Sequence, residues 1–153
     1  MGRRLYSIEK WNPFEPPLLS VDVFLTLYKT KHHLVQQLEE QLGRFDLTLG
    51  RWCLLVALKS SGRPMVPSEL SDDLAVTRAN ISNLLNSLEQ AGSIRRDFDP
   101  NNRRRILVSL TPEGHKLILN VWPVYELSIS QNVGNKLTLE EQNQLKNLLQ
   151  KLF

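Results

Sequence analysis

The chain has 153 residues, of which 41% are apolar and 23% charged, and its formal net charge is +3. This composition predicts an ordinary globular protein, either a single compact domain or a small fold divided in two. The longest apolar run, Trp52 to Leu58, is far shorter than the about 20 residues that a membrane span needs. The single cysteine, Cys53, excludes an internal disulfide and a multi-cysteine metal site. Since Arg3 and Arg4 precede no apolar segment, we expect no secretory signal and a cytoplasmic protein.

The first third of the chain predicts an arm followed by two helices. Residues 1–17 contain a proline cluster, which opposes helix and favours an extended arm. From Leu18 to Leu42 apolar residues recur at helical spacing, and Gly43 is expected to end this long amphipathic helix. Thr48 is a plausible N-cap for a second helix, from Leu49 to about Ser60. This helix is apolar over much of its surface and is therefore expected to be central in the core.

Two further helices are predicted in the middle of the chain. Pro67 suits the first turn of a third helix that ends near Leu74. Thr77 can cap a fourth helix, which runs to Ala91 and is stopped by Gly92. The close succession of these two helices is typical of a helix-turn-helix.

The remaining elements predict a hairpin followed by two more helices. In chain order they are strands over Ile94–Phe98 and Arg105–Leu110 around a turn at residues 99–102, a fifth helix from Pro112, and a last helix to about Lys151. Thr111 is the expected cap of the fifth helix, and Pro123 is expected to kink or break it. Thr138 and Glu141 have capping-box spacing for the last helix. The predicted fold is mainly α with a small β-hairpin (α+β), arranged as a winged helix-turn-helix with helices on both sides.

The fourth helix has the pattern of a DNA-recognition helix. Its apolar residues Ile81, Leu84, Leu85 and Leu88 define one buried stripe. The opposite face is polar and nearly uncharged, and Asn can read adenine, Ser can bond to bases or phosphates, and Ala can contact the thymine methyl. The predicted DNA-binding residues here are Thr77, Arg78, Ala79, Asn80, Ser82, Asn83, Asn86 and Ser87. The alternative is a solvated helix face, although such faces usually carry more Lys and Glu.

The predicted hairpin is rich in arginine and is expected to act as a wing. Between residues 76 and 111 the charged residues leave a net charge of +3, equal to that of the whole chain. Arg103, Arg104 and Arg105 are expected in a loop at or just past the hairpin tip, where a narrow minor groove would attract an inserted guanidinium. Arg95 and Arg96 precede the turn, and because strand neighbours face opposite sides, one of them is expected to face DNA. The alternative is a basic surface hairpin without a partner.

A specific set of short motifs runs from the fourth helix into the fifth. The motifs are Thr77, Ile81-Ser82, Leu88-Glu89-Gln90-Ala91-Gly92, Ile94-Arg95-Arg96, Asp99-Pro100, Arg103-Arg104 and Val108-Ser109-Leu110-Thr111-Pro112-Glu113-Gly114. Together they resemble the MarR family of bacterial transcription factors, the multiple-antibiotic-resistance regulators. The order of the helices extends the resemblance over roughly residues 18–151.

The resemblance implies a homodimer that binds double-stranded DNA at a pseudo-palindromic operator. It implies an N-terminal arm at 1–17, a dimerisation region at 18–46 and 111–153, and a DNA-binding domain at 47–110. The family's wing carries an Asp-x-Arg pattern, which falls here on Asn102 and Arg104, so Arg104 inherits insertion into the minor groove. Asn102 departs from the aspartate and cannot make a charge-assisted pair. A second departure is Ala75, which stands near the position where the family's turn often holds glycine.

The same family precedent suggests a repressor that a small aromatic effector releases from DNA. A pocket lined by Tyr28, Trp52 or Trp122 could hold such an effector, although such aromatics are more often plain core. Cys53 lies in an apolar run, where thiols are usually inert, and the first helix contains no cysteine for peroxide sensing.

No constellation of residues predicts catalysis, a metal site or a cofactor. His32 and His33 are adjacent, so on a helix they point about 100° apart and do not share a metal easily. We therefore expect a chain that is not an enzyme. The alternative function is a protein-interaction module on the same fold, such as an antirepressor, with weak or no DNA binding.

Overall fold

The structure is a computed structural model that describes residues 19–74 and 77–152. The predicted arm at 1–17, the turn residue Ala75 and the side chain of Arg78 lie outside the described residues. The chain divides into two compact units, Met1–Gln36 and Gln37–Phe153, and each is described by itself.

The described elements are mainly helices, with one two-stranded antiparallel sheet. The helices are α1 (Leu19–Leu42), α2 (Leu49–Ser61), α3 (Pro67–Asp73), α4 (Arg78–Gln90), α5 (Pro112–Ile129) and α6 (Leu139–Leu149), and the strands are β1 (Ile94–Asp99) and β2 (Asn102–Leu110). Short 3-10 helices cover Gly43–Phe45 and Gln150–Leu152, and a π-helical segment, Ser130–Gly134, follows α5. The order confirms the predicted α+β fold with its hairpin.

Four threonines start four of the helices as the sequence predicts. The hydroxyls of Thr48, Thr77, Thr111 and Thr138 accept from the N–H groups of Arg51, Asn80, Gly114 and Glu141, respectively. Each bond satisfies one of the N–H groups that a helix leaves without an internal partner. At the other ends, Gly62 after α2 and Gly92 after α4 have φ of 63° and 73°, a region in which glycine is not strained.

Helix α2 provides the centre of the core in the second unit. Its buried residues are Trp52, Leu54, Leu55 and Leu58. Around them lie buried residues of α1, α3, α4, the hairpin and α5, among them Leu42, Leu70, Ile81, Leu85, Leu88, Ile94, Val108, Ile118 and Val121. The stripe predicted on α4 is confirmed, with Leu84 half-buried at its edge. Burial of this stripe fixes which face of α4 remains outside.

The hairpin has longer strands and a shorter turn than the sequence predicts. In its register Ile94 faces Leu110 and Phe98 faces Ile106, with an irregularity between Phe98 and Asp99. Because β2 begins at Asn102, Arg103 and Arg104 lie in the strand and not in the predicted loop, whereas Arg105 lies in the strand that was predicted to begin with it. Met65 exchanges two backbone hydrogen bonds with Val108, at 3.0 and 2.8 Å. This bridge attaches the segment between α2 and α3 to the base of the hairpin.

Helix α5 continues past Pro123 and does not break there, while a kink, the other expected outcome, stays a prediction. A proline removes one N–H donor and leaves the carbonyl four residues earlier, that of Leu119, without its helical partner. Leu119 is 69% exposed and Pro123 is exposed as well. The proline therefore lies on the outer side of the helix, where the missing bond costs least.

Candidate nucleic-acid interface

The outward face of α4 collects most of the predicted base-reading residues. Ala79, Asn80, Ser82, Asn83 and Asn86 are exposed, Thr77 is exposed while it caps the helix, and Ser87 is half-buried. The face carries hydroxyl, amide and methyl groups, all of which can contact base edges in a major groove. No acidic residue occurs between Arg78 and Leu88, so nothing on this stretch repels a phosphate backbone.

Arg96 ties the hairpin to this helix. From β1 its Nε donates to Oε2 of Glu89 on α4 at 2.9 Å, and its Nη2 donates to the same oxygen. The Nη2 also donates to Oδ1 of Asn86 at 2.8 Å. From the sequence alone Arg96 is one of two candidate DNA contacts, and nothing in the sequence indicates this network. Arg95 forms its ion pair within β1, with Asp97 at 3.0 Å.

The Arg96–Glu89 pair makes stability depend on pH in one direction. Hydrogen bonding to Arg96 lowers the pKa of Glu89 below its ordinary value of 4.5. A lowered folded-state pKa stabilises the fold above the unfolded value and loses this effect as the pH falls through the folded value. We expect Glu89→Gln to be less stable than the wild type at neutral pH, with the difference shrinking below about 4.5. Urea unfolding at several pH values measures this, and a difference that is constant with pH would contradict it.

The hairpin tip is shaped by side chains that accept from the backbone. Oδ1 of Asp99 accepts from the N–H of Asn101 at 2.9 Å, and Oδ1 of Asn102 accepts from the N–H of Arg104 at 3.1 Å. Asn102, which departs from the family's aspartate, thus still orders the backbone at Arg104. Asp99 is 9% exposed and lies 3.8 Å from Nη1 of Arg105, an ion pair that the sequence motif Asp99-Pro100 does not by itself indicate.

The three arginines of β2 differ in their surroundings. All three are exposed, but only Arg105 has an acidic neighbour, Asp99. Within residues 19–74 and 77–152, Arg103 and Arg104 form no ion pair with a carboxylate. Their charge is therefore available to a phosphate or to a minor groove.

The predicted effector-binding aromatics are only partly brought together. Trp52 and Trp122 have ring centroids 6.3 Å apart, and Tyr125, which sequence reasoning missed, lies 5.3 Å from Trp52 and 5.6 Å from Trp122. Trp52 is 1% exposed and belongs to the core, whereas Trp122 is 44% exposed. Tyr28 belongs to the first compact unit, where it is 63% exposed. The cluster of Trp52, Trp122 and Tyr125 offers an apolar surface at which one indole is accessible.

Cys53 is half-buried next to this cluster, and burial raises the pKa of its thiol. A raised pKa reduces the thiolate, which is the reactive form. We expect Cys53 to be alkylated by iodoacetamide more slowly than free glutathione, and peroxide to leave DNA affinity unchanged. Alkylation followed by mass spectrometry tests the first expectation. A reaction faster than that of glutathione would indicate an activated thiol.

The described residues contain no group of three or more His, Cys, Asp or Glu side chains that could hold a metal ion. Of the histidines, His32 and His33 are exposed on α1, and Nδ1 of His115 lies 3.5 Å from Nζ of Lys59. None of the helices that the structure describes is sufficiently long and apolar to cross a membrane.

Known transcriptional regulators are similar to this chain in sequence. A MarR family model matches residues 45–105, the stretch from the end of the short helix after α1 to the arginines of β2. The transcriptional regulator HosA of Escherichia coli O111:H- is 28% identical over 131 residues, which cover 82% of this chain and 95% of HosA. The regulator PecS of Dickeya dadantii is 29% identical over 119 residues, covering 74% of this chain and 71% of PecS.

Solved structures agree with the sequence relatives. Sco3205, a MarR family regulator from Streptomyces coelicolor solved in complex with DNA, is 26% identical, with a TM-score of 0.84 and coverage of 92% of this chain and 91% of its own. MepR of Staphylococcus aureus, also solved with DNA, is 27% identical, with a TM-score of 0.76 and coverage of 84% and 93%.

Proposed function

We propose that the chain is a member of the MarR family of winged helix-turn-helix transcriptional regulators and that it represses transcription as a homodimer bound to a pseudo-palindromic operator. It is a DNA-binding regulator, and α4 is the element proposed to enter the major groove. The hairpin of β1 and β2 is proposed to reach the adjacent minor groove. We assign no enzymatic step to the chain and expect it in the cytoplasm, where a repressor meets its operator.

One observation carries this proposal: an exposed, uncharged polar helix face is followed directly by a hairpin with two arginines that lack acidic partners in the described part of the chain. The face on α4 supplies hydrogen-bonding groups without repelling phosphates. Arg103 and Arg104 supply positive charge that the described residues do not neutralise. The complexes of Sco3205 and MepR with DNA support the same use of the fold in this chain.

Exposed apolar residues support the dimer. In the first unit Leu19 is 76% and Phe24 66% exposed, and in the second unit Leu139 is 79% and Leu152 66% exposed. Other exposed apolar side chains of α5 and α6 are Leu119, Leu127, Ile129, Leu145 and Leu148. Large uncovered apolar patches usually mark contact surfaces. We propose that a second copy covers them and sets the two recognition helices about 34–36 Å apart.

We further propose that a small aromatic effector regulates DNA binding by contacting the cluster of Trp52, Trp122 and Tyr125. Its accessible ring is that of Trp122, and stacking on such a ring is favourable for an aromatic ligand. An effector shifts the equilibrium only through a difference in its affinity for the DNA-competent and the incompetent arrangement. Quenching of tryptophan fluorescence by candidate aromatic acids, lost in Trp122→Ala, would support this role.

The proposal is tested by measuring oligomeric state and DNA binding together. Sedimentation should show a dimer, and titration of the duplex upstream of the protein's own gene should give specific binding that falls steeply with salt. A protein that binds no duplex in a salt-dependent manner would contradict the proposal. If it instead retained a stable protein partner, the interaction-module alternative would replace it.

A further inference from the structure

The side-chain amide of Asn86 is held in one orientation by Arg96. The Nη2 of Arg96 donates to Oδ1 of Asn86 at 2.8 Å, and the guanidinium is itself fixed by Glu89. A guanidinium carries only donors, so it can face the oxygen of an amide but not its NH2 group. The oxygen of Asn86 is therefore turned toward β1, and its NH2 group points away from Arg96.

The ion pair that fixes the guanidinium is partly buried, whereas the bond to Asn86 itself is exposed. The side chain of Arg96 is 29% exposed and that of Glu89 37% exposed, while Asn86 is exposed on the same side of α4 as Asn83, three residues earlier. Hydrogen bonds to a charged donor are stronger than those between neutral groups. Asn86 thus faces an approaching duplex with its donor group already positioned.

We propose that Asn86 selects bases by donating to acceptors in the major groove, with guanine as its preferred partner. This inference rests on the proposed function, because it requires α4 to lie in that groove. The usual asparagine–adenine pair needs the amide oxygen to accept from N6 of adenine. In this chain the N6 group of adenine would have to share the amide oxygen of Asn86 with the charged guanidinium of Arg96. Guanine presents two acceptors, N7 and O6, and suits an outward NH2 group better. For Asn83, adenine remains the expected partner.

The experiment is selection from a duplex library randomised over both half-sites, with the full-length protein and with substitutions at position 86. The wild type should enrich guanine at one position of each half-site. Asn86→Ala should lose that preference by about tenfold while the other positions keep theirs. Asn86→Asp keeps the bond to Arg96 but presents an acceptor outward, so enrichment should move to cytosine, whose N4 group donates. Asn143→Asp, the same chemical change on α6, is the matched control and should leave the consensus unchanged.

Arg96 is a positioning residue in this scheme, and its removal has a readout that a structural role alone would not give. Arg96→Met should free the amide and move enrichment at that position from guanine toward adenine. Arg95→Met removes the neighbouring arginine and its pair with Asp97, and it should leave the enrichment at that position unchanged. If Arg96→Met does not fold, the variants at position 86 still decide the question.

Three results would overturn the inference while leaving the proposed function standing. Asn86→Ala could weaken binding to all duplexes equally, as loss of a phosphate contact would. It could change nothing, or the preference that it loses could be for adenine. A wild-type protein that enriches no sequence and binds no duplex would instead overturn the proposed function, and this inference with it.

Discussion

Arg104→Ala is expected to weaken binding to every duplex by about 1 to 3 kcal/mol for each half-site. The side chain of Arg104 is exposed and has no acidic partner in the described residues. Its backbone N–H donates to Oδ1 of Asn102, which orders the chain at this position. Since an arginine at DNA displaces counterions, the slope of log affinity against log salt should also flatten by about one for each half-site. Fluorescence anisotropy over a range of salt concentrations measures both quantities.

Arg44→Ala is the matched control for this change. Arg44 is an exposed arginine in the short helix between α1 and α2, outside α4 and the hairpin, and its loss lowers the net charge by the same amount. We expect Arg44→Ala to retain both the affinity and the salt slope of the wild type. Equal losses in the two variants would mean that Arg104 acts only through net charge, and an unchanged Arg104→Ala would remove the wing from the interface.

Gly114→Ala is expected to destabilise the fold by about 3 kcal/mol, which is at the upper end for adding one methyl group to a packed site. A Cβ built on Gly114 would lie 2.0 Å from the carbonyl oxygen of Ser93 and 3.0 Å from its carbonyl carbon. Both atoms belong to the backbone, and the same oxygen accepts from the N–H of Thr111. The first turn of α5 would have to move away from the start of β1, so the melting temperature should fall by roughly 6 to 12 °C.

Gly43→Ala tests whether the loss at Gly114 comes from this contact. A Cβ on Gly43 meets no atom within 4 Å, and its φ is not positive. The substitution should therefore change stability by less than about 1 kcal/mol, with a tendency to stabilise. Both variants should be unfolded at one protomer concentration, because dimerisation would make stability depend on concentration. Similar midpoints for the two variants would contradict the expected clash.

The elements of the fold could be predicted because their signals are local. The capping threonines and the stop glycines Gly62 and Gly92 act within a few residues, and the apolar stripe of α4 follows from helical spacing alone. The hairpin ends were predicted less well, since the alternation of residue types does not reveal the register shift between Phe98 and Asp99. Whether Pro123 breaks its helix could not be predicted either, because this depends on which side of the helix the proline occupies.

The residues of the candidate site could be predicted from the sequence, but the contacts between them could not. The polar face of α4 and the arginines of β2 were identified from residue type and position. The bonds from Arg96 to Glu89 and Asn86 join two elements across a turn, and no spacing rule states which of two adjacent arginines turns inward. The ion pair between Asp99 and Arg105 likewise depends on how the two strands pair and cannot be deduced from residue spacing.

The bonds from Arg96 to Glu89 and Asn86 also limit how a signal can act on this protein. Since they join β1 to α4, a force on the hairpin is transmitted to the helix, and the angle between the two is resistant to change. In the proposed dimer, an inducer would therefore gain little by bending one DNA-binding module. It would instead change the angle or the distance between the two modules, so that both leave the duplex in a single step.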